Sequence, residues 1–185
     1  MATVAIARLL GRAVKWTADR LESFASDAHS REFAVEGRLG LDREGRIAAV
    51  AADVVEPTGA YPIFPRTSIG DGIQAATMVG APYRIGAVGA RLRALYQNKP
   101  PAGAYRGVGQ PIAMAVTEQL MDAAAARLGQ DPADFRRTHY WSKDELPTTT
   151  VGGLVYDGLS LVECHDKLLD LMDYRALRTD QAAAR

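Results

Sequence analysis

Residues 103–111 read Gly-Ala-Tyr-Arg-Gly-Val-Gly-Gln-Pro, between a β-rich segment and a run with helical spacing. Three glycines free the backbone to turn tightly and to bring N–H groups close to a ligand. Pro111 suits the first turn of a helix, whose N-terminus carries unpaired donors and partial positive charge, so an anionic or oxo ligand is favoured there. Arg106 adds a candidate fixed cation. A tight strand-to-helix turn whose arginine pairs with a carboxylate accounts for the same residues equally well, and local chemistry leaves both readings open. A dinucleotide-binding fingerprint does not fit: Gly107-Val-Gly109-Gln-Pro-Ile112 has isoleucine where the third glycine or alanine belongs.

On the C-terminal side the pattern is helical. Ile112, Val116, Leu120 and Ala124 run down one face to Leu128, with Gly129 as the stop. Asp131 caps a short helix that begins Pro132-Ala-Asp134. A polar loop covers Thr148–Gly153, and Ser160-Leu-Val-Glu163 reads as a capping box opening a helix whose apolar positions are Leu161, Cys164, Leu168, Leu171 and Met172.

On the N-terminal side the pattern is β-rich. Phe33, Val35, Gly37, Leu39 and Leu41 alternate as a half-buried strand requires, within a run from His29 to Leu41. Asp42-Arg-Glu-Gly45 signals a turn into a second strand, Ile47–Val55, and the pair reads as a hairpin that serves as scaffold, with no catalytic grouping on its second strand. Pro57, Pro62, Pro65 and Pro82, interspersed with glycines, mark a long connection over residues 56–82 with a helical piece at Ile69–Met78. Tyr83–Tyr96 reads as one or two strands, broken near Gly86–Gly89. Residues 1–16 begin as a helix with Ile6, Leu9, Leu10 and Ala13 on one face, followed by a short strand at Val14–Trp16. Asp19 and Glu22 form a second capping-box pattern. The class is α+β, with mixed or antiparallel strands in the first half and packed helices in the second.

Composition narrows the functions open to such a chain. Its 185 residues carry 22 Lys plus Arg against 22 Asp plus Glu, so the basic surplus expected of a nucleic-acid binder is missing. One cysteine, Cys164, makes neither an internal disulfide nor a zinc or iron–sulfur cage, and it fits a reducing, cytoplasmic setting. No stretch approaches ~18 uncharged apolar residues, so no membrane span is expected. His29, His139 and His165 are scattered, no metal site is assigned, and Ser68 and Ser160 lack an evident base.

The loop resembles the glycine–aromatic–arginine–glycine loop of the molybdenum hydroxylases, the family of xanthine dehydrogenase, aldehyde oxidase and carbon monoxide dehydrogenase large subunits. The resemblance runs further, in the same order along the chain: residues 11–20 (GRAVKWTADR) are similar to the family's strand and Asp-Arg turn, and Ala81-Pro-Tyr-Arg-Ile85 to its tyrosine–basic–isoleucine segment. Asn98-Lys-Pro-Pro101 resembles the run before the loop, and Leu128–Arg137 the helix pair after it.

The resemblance implies a partial molybdopterin-binding domain over 1–185, belonging to a larger subunit. It also implies a molybdopterin cofactor in a dinucleotide form, shared with the remainder of the large subunit, and iron–sulfur and FAD subunits as electron-transfer partners. The loop residues that approach the molybdenum and its oxo ligand correspond to Tyr105, Arg106 and Gly107, with Val108 facing the substrate. Departures from the family bear on the substrate. Gly107 stands where copper-containing carbon monoxide dehydrogenases place a cysteine, Val108 where purine enzymes carry a phenylalanine, and Gln74 where they use an arginine. Oxidative hydroxylation of an aldehyde or another heterocycle therefore fits better than oxidation of carbon monoxide or xanthine. The family's catalytic glutamate has no counterpart here, since Glu118 and Glu163 read as solvated helix faces. The chain is thus expected to be a piece of a split, truncated or degenerate gene that does not turn over alone. A non-catalytic scaffold or assembly remnant of the same fold is the alternative.

Overall fold

A computed structural model describes residues 2–63 and 67–184. Met1 and Pro65, which belong to the helix and the connection expected above, lie outside the described residues.

The alternation that marks the first strand is realised. β1 (Ala34–Leu41) pairs antiparallel with β2 (Ile47–Gly59), from Ala34 opposite Val55 to Leu41 opposite Ile47. The turn between them is held by Asp42, whose Oδ1 accepts from the Glu44 and Arg46 amides at 3.0 and 2.8 Å, while Gly45 takes the positive φ. The stretch before β1 does not join the ladder. His29 instead makes an isolated parallel bridge to Ala102.

β2 continues into helix α3 (Gly70–Met78), which carries the chain back to β3 (Ala87–Tyr96). β3 is one unbroken strand and lies parallel to β2, so β2 is the centre of a mixed three-stranded sheet. Helix α4 (Gln110–Leu128) lies against α3 and β1. The core forms between this helical layer and one face of the sheet: Val50, Ala52 and Val54 meet Val79, Ala113, Met121 and Phe135. Gly37 lets α4 come close, since a Cβ there would stand 2.7 Å from Val116 Cγ1. The buried row of α4 is Ala113, Thr117, Met121 and Ala124, one residue on from the expected Ile112–Val116–Leu120 line. Those three are half-buried because they flank the row, and Leu120 and Val116 touch the sheet at Gly37.

α5 (Pro132–His139) is capped by Asp131, which accepts from Ala133 N at 2.8 Å, and it inserts the fully buried Phe135. Helix α2 (Arg20–Ser26) carries both halves of the expected capping box at Asp19 and Glu22. Three expectations fail. Val14–Trp16 pairs with no strand, and Trp16 is exposed. Ser160 makes no side-chain cap on α6 (Leu161–Leu171), and Glu163 pairs with Lys143 Nζ at 2.5 Å instead of reaching back to Ser160. Within Thr148–Gly153, Thr148–Thr149 forms a two-residue strand, β4, paired with β5 (Val155–Tyr156). Helices α1 (Ala2–Leu10), α6 and α7 (Tyr174–Ala183) contribute no buried residue, and of the apolar positions named for α6, Cys164, Leu168, Leu171 and Met172 are exposed.

Phe135 tests where the core sits. Phe135→Ala should lower unfolding free energy by about 3–5 kcal/mol, read as a drop in the urea midpoint. A loss under about 1 kcal/mol would show that α5 is not part of the core.

Candidate functional site

The loop leaves the sheet after β3 and is fixed at its base by backbone bonds. Ala102 N donates to Thr58 O at 3.1 Å, and Gly103 N to His29 O at 2.8 Å. Beyond Gly103 it folds into two overlapping turns. Val108 N donates to Tyr105 O at 2.7 Å, with Gly107 at φ 83°, and Gln110 N donates to Gly107 O at 2.9 Å, with Val108 itself at φ 52°. A β-branched residue in the left-handed region carries strain of order 1–3 kcal/mol, which persists only where surroundings impose it.

Those surroundings are α3 and Arg31. Gly109, the N-cap of α4, donates its N–H to Gln74 Oε1 at 2.8 Å. A Cβ on Gly109 would overlap the Asp71 carbonyl oxygen and the Ala75 amide nitrogen, so the loop rests directly on the α3 backbone. From the other side Arg31 donates to the Arg106 carbonyl and places its guanidinium 5.1 Å from the centre of the Tyr105 ring. Tyr105 and the Arg106 side chain remain exposed, and among the described residues Arg106 forms no ion pair. The carboxylate partner that a purely structural arginine would need is therefore not seen there. Tyr105 and Arg106 are exposed and Gly107 and Val108 half-buried, and together the four residues form one crest.

Beneath the base of the loop lies a cavity of about 420 Å³, walled by residues that include Ser30, Phe33, Glu56, Asp71, Gln97 and Gly103. Glu56, at the first position of the expected connection, stands instead on β2, which runs four residues beyond the expected Val55 to Gly59. Val50, Ala52, Val54 and Glu56 share the inward face of that strand, and Glu56 is 1% exposed. Its Oε1 accepts from Gly72 N at 3.1 Å, at the start of α3, and a Cβ at position 72 would stand 2.3 Å from Glu56 Oε2, so a larger residue there would displace the carboxyl. That Oε2 has no partner among the described residues. Burial, with the nearby Asp71 charge, outweighs the Gly72 bond and pushes the Glu56 carboxyl up to about 7. Burial also raises Asp71, against the opposing effects of the Ser30 hydroxyl and Arg31. The signal was present in the sequence: the two-residue period that places Val50, Ala52 and Val54 inside places position 56 inside as well.

The other carboxylates do not join this site. Glu118 is not a solvated face. It accepts from Tyr83 Oη at 2.9 Å and from Arg136 Nε at 2.6 Å, tying α4 to α5. Glu163 faces outward and holds Lys143. His139 bonds to the Phe135 carbonyl at 2.7 Å, and His165 stands edge-on to Tyr140, so these two histidines pack within the helical part of the fold.

The match to known proteins is extensive. Residues 1–140 match the family described as the molybdopterin cofactor-binding domain. The chain belongs to that family. It is 36% identical over 151 residues to the 6-hydroxypseudooxynicotine dehydrogenase complex subunit gamma of Paenarthrobacter nicotinovorans, which covers 82% of this chain and 19% of that one. It is 32% identical over 180 residues to the carbon monoxide dehydrogenase large chain of Hydrogenophaga pseudoflava, covering 96% and 22%. The crystal structure of quinoline 2-oxidoreductase from Pseudomonas putida 86 superposes on the whole chain with a TM-score of 0.90 and 31% identity, over 23% of its own length. The chain thus spans about a fifth of the length of the curated relatives it matches. Among the described residues no helix is long and apolar enough to cross a membrane.

The crest suits the cofactor of a molybdopterin cofactor-binding domain. Gly107 and Gly109 keep side chains off the loop's turns, and the Arg106 guanidinium, which forms no ion pair among the described residues, suits an anionic group.

Glu56 imposes a pH dependence on this fold. Its carboxyl has a higher pKa folded, about 7, than unfolded, 4.5, so the folded state holds the proton longer. Stability should fall as pH rises from 4.5 to 7, by up to about 3 kcal/mol, and then level off. Asp71 acts in the same direction. Glu56→Gln, which keeps an acceptor for Gly72, should remove most of that slope in denaturation measured between pH 5 and 8. Parallel curves for both proteins would show that Glu56 is not held protonated.

Proposed function

We propose that this chain supplies the loop of a molybdenum hydroxylase large subunit that meets a molybdopterin cofactor, in a dinucleotide form, with Tyr105, Arg106 and Gly107 against the cofactor and Val108 toward the substrate. The observation that carries this reading is the crest itself: a strained Gly107–Val108 turn, braced by Gln74 on one side and Arg31 on the other, with Arg106 forming no ion pair among the described residues. The bound cofactor supplies the two-electron acceptor for oxidative hydroxylation. The chain's part is to orient. Loop N–H groups and the Arg106 guanidinium stabilise negative charge on the cofactor, and the α4 N-terminus adds its partial positive charge. Because the loop is already braced, little reorganisation is needed at the moment of reaction.

Val108, smaller than an aromatic residue, leaves room for an aldehyde or a nitrogen heterocycle. The heterocycle is favoured by relatives named for quinoline, nicotine and 6-hydroxypseudooxynicotine. Electrons leave to iron–sulfur and FAD subunits. A relative named as the gamma subunit of a complex supports a multi-chain assembly. We place the assembly in the cytoplasm, where an exposed free thiol such as Cys164 is maintained. Among the described residues no carboxylate or histidine side chain bonds to residues 105–108, and in this reading turnover needs the remainder of the subunit, with 1–185 acting as part of one molybdopterin-binding domain.

Molybdenum and pterin content of the purified protein tests this, first with the chain alone and then co-expressed with the remainder of a large subunit. Cofactor should appear in the assembled preparation, and Arg106→Ala should then cut turnover on the order of 10- to 100-fold. Absence of metal from both preparations would favour the non-catalytic scaffold. Full activity in Arg106→Ala would defeat the assignment of the crest.

A further inference from the structure

β3 is an outer strand of the sheet and is ten residues long. In its parallel ladder with β2, alternate residues turn their N–H and C=O groups toward β2 and the others turn theirs to the open edge. Among the described residues no strand pairs with that edge. Natural sheets blunt an open edge with proline, lysine, a bulge or a covering element. β3 reads AVGARLRALY, with neither proline nor lysine, and the irregularity in its ladder lies on β2, between Pro57 and Gly59.

The inward face of β3 is only partly covered. Val88 and Leu92 are half-buried against the core, with Leu92 close to Gly72 of α3. Ala90, Ala94 and Tyr96 share their parity, yet all three are exposed. On α3 the backbone of Asp71 and Ala75 lies against Gly109, and Gly72 lies against Leu92. Helical spacing then brings Ile73 to the side away from α4, where it is 50% exposed. β1, the other outer strand, lacks this gap, since its inward positions from Val35 to Leu41 are all half-buried. On the outward face Arg91 stands 3.7 Å from Asp53, and Arg93 forms no ion pair among the described residues.

We propose that the open edge of β3 receives a further strand from the large-subunit polypeptide outside residues 1–185, with apolar side chains over Ala90, Ala94 and Ile73 and an acidic side chain beside Arg93. This rests on the reading that the chain is part of a larger subunit, and the relatives, of which it spans about a fifth, have ample polypeptide to supply the strand. Such a strand pairs the peptide groups that β3 leaves facing outward, covers its exposed inward positions and balances the Arg93 charge. A second copy of this chain is a poorer occupant. Two β3 strands paired antiparallel would bring Arg91 and Arg93 of both copies to one face of the sheet, and like charges on neighbouring strands are destabilising.

Amide hydrogen exchange tests this, on the chain alone and on the chain co-purified with the remainder of a large subunit. Alone, β3 should exchange faster than β2, which is bonded on both sides. In the assembly the fast amides within 87–96 should slow on the order of 10-fold or more. Arg93→Glu should weaken assembly about 5-fold while leaving the Tm of the isolated chain unchanged. The same reversal at Arg43, in the exposed β1–β2 turn, should leave assembly unaltered. Assembly with unchanged exchange across 87–96, or equal effects of the two reversals, would overturn the proposal and leave the large-subunit reading intact. Failure of the two parts to co-purify would overturn both. A dimeric mass for the isolated chain, with 87–96 already protected, would assign the edge to a second copy and overturn the proposal as well.

Discussion

Gly109 presses on the backbone of α3 so closely that no side chain fits between them, and its N–H is held by Gln74 Oε1. This contact sets the start of α4 and the end of the glycine loop at once. Because α3 is the crossover between the parallel strands β2 and β3, the loop inherits the rigidity of the sheet rather than the mobility usual for a surface segment. The positive φ of Val108 follows from the same constraint. A loop free to relax would not keep a β-branched residue there.

The constraint also has an electrostatic side. Glu56 anchors the first turn of α3 through Gly72, in line with the preference of helix N-termini for acidic groups, yet it does so from inside the core. A buried carboxyl is unfavourable when ionised, and Glu56 relieves this by keeping its proton close to neutral pH. The same side chain therefore stabilises the platform under the loop and leaves its Oε2 without a partner among the described residues. On the far side of α4, the Tyr83–Glu118–Arg136 cluster performs a comparable task with paired groups. Burial works against the Arg136 charge, but bonds to Glu118 and Asp122 outweigh it and raise its pKa.

What was legible in the sequence was local. The β1–β2 hairpin, the bounds of α4 between Pro111 and Gly129, and the caps at Asp19 and Asp131 all depend on residues within a few positions of each other. The family resemblance was also legible, since its motifs lie in order along the chain, and the match over residues 1–140 agrees with it. What was not legible depends on distant partners. Glu163 matched a capping box but pairs instead with Lys143, twenty residues earlier in the chain. Glu118 looked like a surface residue because Tyr83 and Arg136 reach it from other elements. The row that α4 buries is set by how closely Gly37 admits the helix, which no helical period discloses. For the loop, the sequence identified the residues but not the brace, since Arg31 and Gln74 lie some seventy and thirty positions away in the chain.

Amide hydrogen exchange at Gly109 tests the brace most directly, compared between the natural chain and Gln74→Leu. The account predicts slow exchange at Gly109 in the natural chain. In the variant it predicts exchange at least 10-fold faster at Gly109 and along 105–109, with the amides of β1 and β2 unchanged. Equal exchange at Gly109 in both proteins would contradict it, and the loop would then owe its shape to something other than its seat on α3.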